Sequence, residues 1–313
     1  IDFNKKIDLN IIENEAAILN HPQWLYQKWI NDHNASFAKN IAEWNNKIPT
    51  IWFRVNFNLY NKELFEKKMK ELKISFSIYK YNDLYYKTNN PSSLLNNKIF
   101  KTGMITIQNP FSGFICNLLK PKSDEIIVDA CASPGGKTAY ISEIMQNKGK
   151  IFAYDININR ITLLNKTLKR MRVNNVHSDI KDISTKKIPN ADKILLDVPC
   201  TGTGVLNKYP DIKWRKSFSD IKEMVNIQKK ILFNTSKYLN KGGSLVYSTC
   251  SIEKEENEEI ISTFLNKKND FVIKKIDNSI PNNFINKFGQ FNSTSFIDKI
   301  DGGFATVLVN NAN

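Results

Sequence analysis

The chain has 313 residues, which is enough for one large domain with its own hydrophobic core and a second, smaller domain. Its 45 Lys and Arg residues outnumber its 31 Asp and Glu residues, and the net charge of +14 favours a polyanionic partner such as nucleic acid. No apolar stretch approaches the ~18 residues of a membrane span, and the first residues resemble no secretory signal, so we expect neither a membrane protein nor a secreted one.

The first segment, residues 1–46, is predicted to be helical. Leu25, Trp29 and Ile30 recur at helical spacing, which indicates an apolar helix face that packs against a core. The chain begins at Ile1 rather than at Met, and we expect that a further N-terminal part of the protein precedes it.

The second segment, residues 47–109, is predicted to be a small α+β module. Its predicted elements are strands at 50–56, 76–81, 83–87 and 104–108, an amphipathic helix at 61–73 and an Asn-rich loop at 89–97. Within the helix, Leu64, Met69 and Leu72 are predicted to face the core. Basic and aromatic residues on these strands resemble an RNA-recognition module, although the same arrangement is also a common small fold. The alternative for the excess of lysine is solvated surface in an AT-rich composition.

The third segment, residues 110–313, alternates between helix and strand patterns. This alternation predicts an α/β fold with a doubly wound, mostly parallel sheet of the Rossmann-like class. The predicted helices cover 110–119, 136–147, 157–172, 217–239 and 253–267, and the predicted strands cover 125–130, 150–155, 175–178, 193–198, 244–249 and 304–309. The last of these strands is predicted to lie antiparallel at the edge of the sheet.

A Gly-rich turn, DACASPGGKT at 129–138, follows the first strand of this segment. A phosphate loop of the Walker A type would need glycine at the position of Cys131, so that reading is disfavoured. Asp155 lies 19 residues after Gly136, the spacing at which an acid binds ribose hydroxyls in Rossmann-type folds. With two further acids at predicted strand ends, the pattern favours an adenosine-containing cofactor, for which NAD and S-adenosylmethionine both fit.

Those two acids are Asp179 and Asp197. Asp179 is a candidate for binding the adenine amino group, with Asp182 as a nearby alternative. A plain loop aspartate or a helix cap is the structural alternative for Asp179.

Four cysteines, Cys116, Cys131, Cys200 and Cys250, form no CxxC pair. No histidine lies near them at ligand spacing, so we expect no metal site. Because no secretory signal is recognised, the thiols are expected to be reduced and the protein cytoplasmic. Cys116 lies on a predicted apolar helix face and is expected to be a core residue, and Cys131 is expected to pack beside the Gly-rich turn.

Two of the cysteines end similar motifs, DVPC at 197–200 and STCS at 248–251, and each motif follows a short apolar run. In a parallel sheet both thiols would lie at the carboxyl ends of strands, where open α/β folds bind ligands. Carbon 5 of a pyrimidine is too weakly nucleophilic to accept a methyl group unless a thiolate first attacks carbon 6. Two thiols beside an adenosyl cofactor in a basic protein therefore favour S-adenosylmethionine over NAD.

Four motifs carry a resemblance to a known family, the Nop/Sun family of RNA cytosine-5 methyltransferases. They are DACASPGGKT, AYDIN at 153–157, LLDVPCTGTGV at 195–205 and VYSTCSIEKEEN at 246–257. HPQWL at 21–25 and YPDIKW at 209–214 are similar to sequence motifs of the bacterial RsmB (Sun/Fmu) branch of this family, whose members methylate 16S ribosomal RNA. Members of that branch usually carry an N-terminal helical RNA-binding domain similar to the antiterminator NusB.

The resemblance implies a class I methyltransferase fold and a role for each matching residue. Cys250 matches the nucleophile, Cys200 matches the thiol that assists product release, and Asp197 matches an acid close to the target base and the cofactor. The cofactor positions implied for S-adenosyl-L-methionine are Cys131, Ala132, Ser133, Pro134, Gly135, Gly136, Lys137, Asp155, Asp179 and Asp197.

The function that these expectations describe is methylation of C5 of a cytosine in 16S ribosomal RNA through a covalent bond between Cys250 and C6. A tRNA cytosine-5 methyltransferase and a non-catalytic RNA-binding ribosome-assembly factor are the alternatives. The expected partner is RNA, most of all small-subunit ribosomal RNA, and the protein is expected to act as a monomer without membrane or metal.

Overall fold

The computed structural model describes residues 9–56, 58–88, 90–277 and 280–311. The α-helices are α1 (Leu9–Ile18), α2 (Gln23–Asp32), α3 (Ala35–Asn45), α4 (Lys62–Glu71), α5 (Pro91–Leu95), α6 (Lys98–Lys101), α7 (Pro110–Leu119), α8 (Gly136–Ile144), α9 (Ile158–Arg170), α10 (Ile212–Arg215), α11 (Phe218–Thr235), α12 (Glu258–Leu265) and α13 (Ser295–Asp298). The strands are β1 (Ile51–Val55), β2 (Ser77–Tyr79), β3 (Asn82–Thr88), β4 (Ile105–Ile107), β5 (Ile126–Asp129), β6 (Lys150–Asp155), β7 (Val176–Ile180), β8 (Ala191–Asp197), β9 (Leu239–Thr249), β10 (Phe271–Ile273), β11 (Phe291–Ser293) and β12 (Gly303–Asn310). Among the described residues, no helix is both long enough and apolar enough to cross a membrane.

The N-terminal helices α1 to α3 pack around a shared apolar face, as their spacing predicts. Tyr26, Trp29 and Ile41 are buried in this face together with Leu206 from the later part of the chain. Asn34 caps α3, because its side chain accepts a hydrogen bond from the backbone N–H of Phe37. The helices are therefore anchored to the large domain.

The small module has an antiparallel sheet in the order β2-β3-β1-β4, with α4 packed against it. Phe65 and Met69 are the residues of α4 that are fully buried. The prediction that Leu64 faces the core was wrong, since its side chain is 49% exposed. Leu64 lies about 100° around the helix from Phe65, so a shift of one residue turns it to solvent.

The predicted loop at 89–97 contains the short helix α5. Asn90 caps this helix, since its side chain accepts a hydrogen bond from the N–H of Ser93, and Pro91 occupies the first turn. Proline is tolerated there because its missing N–H would have had no partner within the helix. The Asn and Pro residues that suggested a loop are thus the start signal of a helix.

The large sheet runs in the order β10-β12-β9-β8-β5-β6-β7, with β11 paired to β12. Strands β7, β6, β5, β8 and β9 are parallel, which confirms the predicted doubly wound sheet. The chain passes from β5 to β6 on one side and returns to β8 on the other side, so the strand order reverses between β5 and β8. Such a reversal opens a crevice at the carboxyl ends of the two strands.

The position predicted for the last strand was wrong in one respect. β12 is antiparallel to β9 as expected, but it does not lie at the edge, because β10 and β11 also pair with it. Both additional strands have three residues, which is too short for a period-two pattern to be recognised in the sequence.

Two arginines join the small module to the large domain. Arg54 of β1 is fully buried, and its Nη2 donates to the Glu143 carboxylate of α8 at 2.8 Å while its guanidinium stacks on the ring of Tyr140. Arg170 at the end of α9 donates to the carbonyl oxygens of Phe100 and Ile105, each at 2.9 Å. These contacts fix the module against α8 and α9 of the large domain. The segment limits 1–46, 47–109 and 110–313 as domain boundaries stay a prediction.

Candidate functional site

The Gly-rich turn leads from β5 into α8 at the point where the strand order reverses. Gly135 has φ +96°, and a Cβ at this position would lie 2.8 Å from the Cδ1 atom of Leu164. Only glycine satisfies both restrictions, so the turn can pack tightly on α9. Thr138 donates to the Asp129 carboxylate at 2.7 Å, and burial raises the pKa of Asp129 to about 7.

A cavity of about 440 Å³ lies in this crevice, under the edge of the small module. From the set of predicted cofactor residues, the lining includes Cys131, Ala132, Ser133, Pro134, Gly136, Lys137 and Asp197. Trp52 and Gln108 of the small module and Tyr209 of the large domain close the other sides. The cavity is therefore built by both parts of the chain.

Lys137 and Asp197 form an ion pair at the inner end of this cavity. The Lys137 Nζ atom lies 2.6 Å from Asp197 Oδ2, and Ser248 donates to Asp197 Oδ1 at 2.8 Å. Burial alone would lower the pKa of Lys137, but the Asp197 carboxylate outweighs it and raises this pKa. The lysine is therefore held as an ammonium, and Asp197 is oriented from both sides.

The two motif cysteines meet beyond the carboxyl ends of β8 and β9. Their Sγ atoms lie 3.1 Å apart, with Cys250 directly after β9 and Cys200 three residues after β8. The hydrogen bond to Cys250, together with burial, raises the pKa of Cys200 well above its usual value. The raised pKa favours the protonated form of Cys200, while the geometry allows either sulfur to donate the hydrogen bond between them. The interaction of Lys137 with Cys250 also contributes to the raised pKa of the lysine.

A fully buried carboxylate, Glu256, holds the two cysteine-bearing turns together. Its Oε1 accepts hydrogen bonds from the backbone N–H of Thr201 at 2.9 Å and from the Gln228 side chain at 2.8 Å. Its Oε2 accepts from the hydroxyl of Thr201 and from that of Ser251 at 2.5 Å. Thr201 follows Cys200 and Ser251 follows Cys250, so one side chain sets the spacing of both thiols.

Two of the predicted cofactor acids lie away from the cavity lining. Asp155 is buried at the end of β6, and its carboxylate pairs with Arg160 at 3.0 Å. Asp179 is exposed in β7, the edge strand beyond β6. The alternative acid Asp182 is committed to a turn, since Ser184 donates to it through both its backbone N–H and its hydroxyl.

The other two cysteines lie apart from the thiol pair. Cys116 is fully buried in the core around α7, as predicted, and burial raises its pKa to about 12. Cys131 lines the cavity with partial exposure, and burial raises its pKa as well. Both thiols are therefore protonated at neutral pH, in contrast to what a nucleophile requires.

Several lining residues were not recognised in the sequence. Gln108 accepts hydrogen bonds from Arg54 at 2.7 Å and from Tyr85 at 2.9 Å, and it faces the start of α8. Tyr209 lies in the YPDIKW motif at 209–214, which was noted only for its similarity to the bacterial branch of the family. No sequence pattern predicts that Trp52 and Gln108 line the cavity, because their position there depends on how the small module docks on the large domain.

The chain matches two family models. One, described as 16S rRNA methyltransferase RsmB/F, matches residues 116–308, and the other, described as a Methyltr_RsmF/B-like, ferredoxin-like domain, matches residues 21–83. The crystal structure of a methyltransferase homolog protein from Pyrococcus horikoshii has a TM-score of 0.83 and 28% identity, covering 96% of this chain and 99% of that chain. The fold with its crevice between β5 and β8 is thus a methyltransferase fold.

Full-length relatives give the same assignment. Probable ribosomal RNA small subunit methyltransferase B of Bacillus subtilis is 33% identical over 266 residues, covering 82% of this chain and 58% of that protein. Ribosomal RNA small subunit methyltransferase B of Proteus mirabilis is 34% identical over 257 residues, covering 80% of this chain and 60% of that protein. The chain belongs to the 16S rRNA methyltransferase RsmB/F family, which confirms the resemblance seen in its motifs. It spans less than two thirds of the length of these relatives.

Proposed function

We propose that the protein methylates C5 of a cytosine in small-subunit ribosomal RNA, with S-adenosylmethionine as the methyl donor. The observation that carries the proposal is the pair of sulfur atoms 3.1 Å apart, next to the Lys137–Asp197 ion pair and the cavity at the strand reversal. Neither a purely structural cysteine pair nor a simple binding protein needs two free thiols beside such a cavity.

The cavity fits the proposed cofactor in size and in charge. Its volume of about 440 Å³ lies in the range of small-molecule sites, about 300–1,000 Å³. Asp129 and Asp197 line it, and carboxylates complement a sulfonium and an amino group. The turn from Cys131 to Lys137 would hold the cofactor. We also assign the ribose to Asp155, although its carboxylate lies outside the cavity lining and pairs with Arg160. S-Adenosylmethionine, when bound, supplies an electrophilic methyl group.

Cys250 acts first in the proposed reaction. Its thiolate attacks C6 of the cytosine, a C–S bond forms, and the electron pair of the C5–C6 double bond makes C5 nucleophilic. Once C5 carries the methyl group, a base removes the C5 proton. The electrons of that C–H bond restore the double bond, the C–S bond breaks, and the sulfur of Cys250 leaves with its electron pair.

Cys200 and Lys137 support these steps in the proposal. We assign the proton to Cys200, whose pKa is raised, so that its thiol donates to the sulfur of Cys250 and stabilises negative charge there both before attack and after expulsion. The ammonium of Lys137 orients Asp197, and we assign the contact with the target base to this carboxylate. In the proposal, Cys200 therefore assists the step in which the sulfur of Cys250 is expelled and the RNA is released.

The RNA substrate is supported by charge and by the family. The net charge of +14 suits a polyanion, and Lys166, Lys169 and Arg172 of the α9 region are exposed. Arg170 does not belong to this surface, because it is engaged with the small module. The relatives named above are small-subunit ribosomal RNA methyltransferases, and we extend that substrate to this chain as part of the proposal.

The test is methyl transfer from labelled S-adenosylmethionine to unmethylated small-subunit ribosomal RNA transcripts, followed by mapping of the modified base. We expect label in 5-methylcytosine at a single position. Label in tRNA instead would assign the chain to the alternative methyltransferase class. Binding of ribosomal RNA without any transfer would favour a non-catalytic assembly factor.

Replacing Asp155 with alanine should weaken S-adenosylmethionine binding at least about tenfold with little loss of fold. A hydrogen bond to a charged group contributes about 1.5–3 kcal/mol, and a ribose offers two hydroxyls to the Asp155 carboxylate. Calorimetry with the purified variant measures the affinity. Asp182→Ala is the matched control, since its carboxylate serves a turn away from the cavity. Unchanged affinity in folded Asp155→Ala would remove this residue from the cofactor site.

A further inference from the structure

A second cavity lies beside the cavity of about 440 Å³ at the strand reversal, which is called the catalytic cavity from here on. Two chain segments form the wall between the two cavities. This second cavity, called the Trp214 cavity here, has a volume of about 340 Å³. Residues 46–48 line it while residues 49–52 line the catalytic cavity, and Pro210 lines it while Tyr209 lines the catalytic cavity. Since consecutive Cα atoms are about 3.8 Å apart, adjacent residues of both segments place the two cavities side by side.

Trp214 presents an aromatic surface at this second cavity. Its side chain is 57% exposed, although an indole ring is normally largely buried. The neighbouring Tyr209, on the wall of the catalytic cavity, is also exposed. An exposed ring face next to a nucleic-acid site is the surface on which an unpaired base stacks.

Lys213 brings a buried positive charge to the same cavity. Its side chain is only 3% exposed, its Nζ donates to the Asn46 side chain at 3.3 Å, and it lies 5.9 Å from the centre of the Trp214 ring. Within the described part of the chain it forms no ion pair, and burial lowers its pKa. An ammonium has three donors, so most of its bonding capacity is free for an anion. A phosphate entering the cavity would supply the missing negative charge.

We infer that the Trp214 cavity binds a nucleotide next to the target base in single-stranded RNA, with its base stacked on Trp214 and its phosphate at Lys213. The inference rests on the proposed function and names how the same site holds its substrate. A stacking ring, a buried ammonium and the side-chain amides of Asn46 and Asn207 together match the base, phosphate and base edge of one nucleotide. The shared wall places this nucleotide beside the one that enters the catalytic cavity.

The experiment uses the whole chain and an unmethylated small-subunit ribosomal RNA transcript that carries 4-thiouridine. Trp214→Leu should raise the Kd and the KM for RNA at least about fivefold, because stacking on an aromatic side chain is lost. Its kcat at saturating RNA and its Kd for S-adenosylmethionine should change little. Trp214→Phe should retain most of the RNA affinity, since a ring remains. Photocrosslinked peptides from the wild-type chain should include residues 207–214.

Phe288→Leu and Lys287→Met are the matched controls. Phe288 is 61% exposed with the ammonium of Lys287 5.1 Å from its ring centre, yet neither residue lines either cavity. Both control variants should bind RNA like the wild-type chain. Lys213→Met should also weaken RNA binding. Because Lys213 is buried, this substitution can impair folding, and the substitutions of the exposed Trp214 then still test the inference.

The outcomes separate the inference from the proposed function. If Trp214→Leu binds the transcript as tightly as the wild-type chain, the RNA subsite is wrong and a protein becomes the alternative occupant. Equal loss in the Leu and Phe variants would also overturn stacking. If the wild-type chain transfers no methyl group but Trp214→Leu still weakens RNA binding, the subsite stands and the proposed methylation fails.

Discussion

Replacing Cys250 with alanine should abolish methyl transfer and leave no covalent RNA complex, because C6 of the base then meets no nucleophile. Cys200→Ala should behave differently. Attack and methylation remain possible, but release slows, so RNA should accumulate as an adduct on Cys250 that survives denaturing electrophoresis. The two sulfurs lie 3.1 Å apart, which lets them serve successive steps on one base. Gel analysis with labelled RNA measures the adduct, and turnover assays measure release.

Cys116→Ala is the control for loss of a thiol as such. This residue is buried on α7 with its sulfur facing the Lys137 carbonyl oxygen, and it should affect stability more than turnover per folded molecule. An adduct on the Cys250 variant and none on the Cys200 variant would reverse the two roles. If neither variant changes turnover per folded molecule, covalent catalysis is wrong for this protein.

The position of each thiol at the carboxyl end of a strand followed from the sequence, because it depends on local patterns. Each cysteine directly follows a short apolar run, and such runs form buried parallel strands whose carboxyl ends share one edge. The pattern did not determine that β8 and β9 are neighbours, a fact on which the 3.1 Å distance depends. The resemblance to the family indicated that the turns with Cys200 and Cys250 act together and therefore lie close to each other.

The cavity was harder to predict because part of it comes from another region of the chain. Asp155 ends β6 as the pattern predicted and Asp179 lies within β7 rather than after it, yet the cavity is lined from β5 and β8. Trp52 and Gln108 reach it because the small module docks on the large domain through contacts such as the pairing of Arg54 with Glu143 of α8. A contact between residues almost ninety positions apart leaves no trace in hydrophobic periodicity.

Glu256 could not be recognised at all. It lies in a run of charged residues, EKEEN, which by composition indicates an exposed face. Its burial follows from four hydrogen-bond donors that come from three separate segments, at Thr201, Gln228 and Ser251. Buried charges are stable only where such partners are present, and sequence patterns do not show partners that are distant in the chain.

Glu256→Ala should lower methyl transfer per folded molecule at least about tenfold and the free energy of unfolding by about 2–4 kcal/mol, since several buried donors lose their acceptor. The specific reason is the spacing of the thiols, because the turns after Cys200 and Cys250 are tied to this one carboxylate. Diamide, a two-electron oxidant, links two neighbouring thiols as a disulfide. The rate of this reaction depends on the distance between the thiols and does not change when only the stability of the protein falls. We expect this rate to fall in the variant, as measured by mass spectrometry of folded protein.

The matched control is Glu253→Ala, which removes another buried carboxylate three residues away. Glu253 accepts from the indole N–H of Trp29 at 3.1 Å and pairs with Lys28, so its loss should lower stability without separating the thiols. Glu256→Gln should recover much of the methyl transfer, because its oxygen can keep the bonds from Thr201 and Gln228 while its amide donates to the hydroxyl of Ser251. Were the glutamine variant as slow as alanine, the negative charge and not the spacing would be what the thiols require. Were both as fast as the wild-type chain, Glu256 would have no part in positioning them.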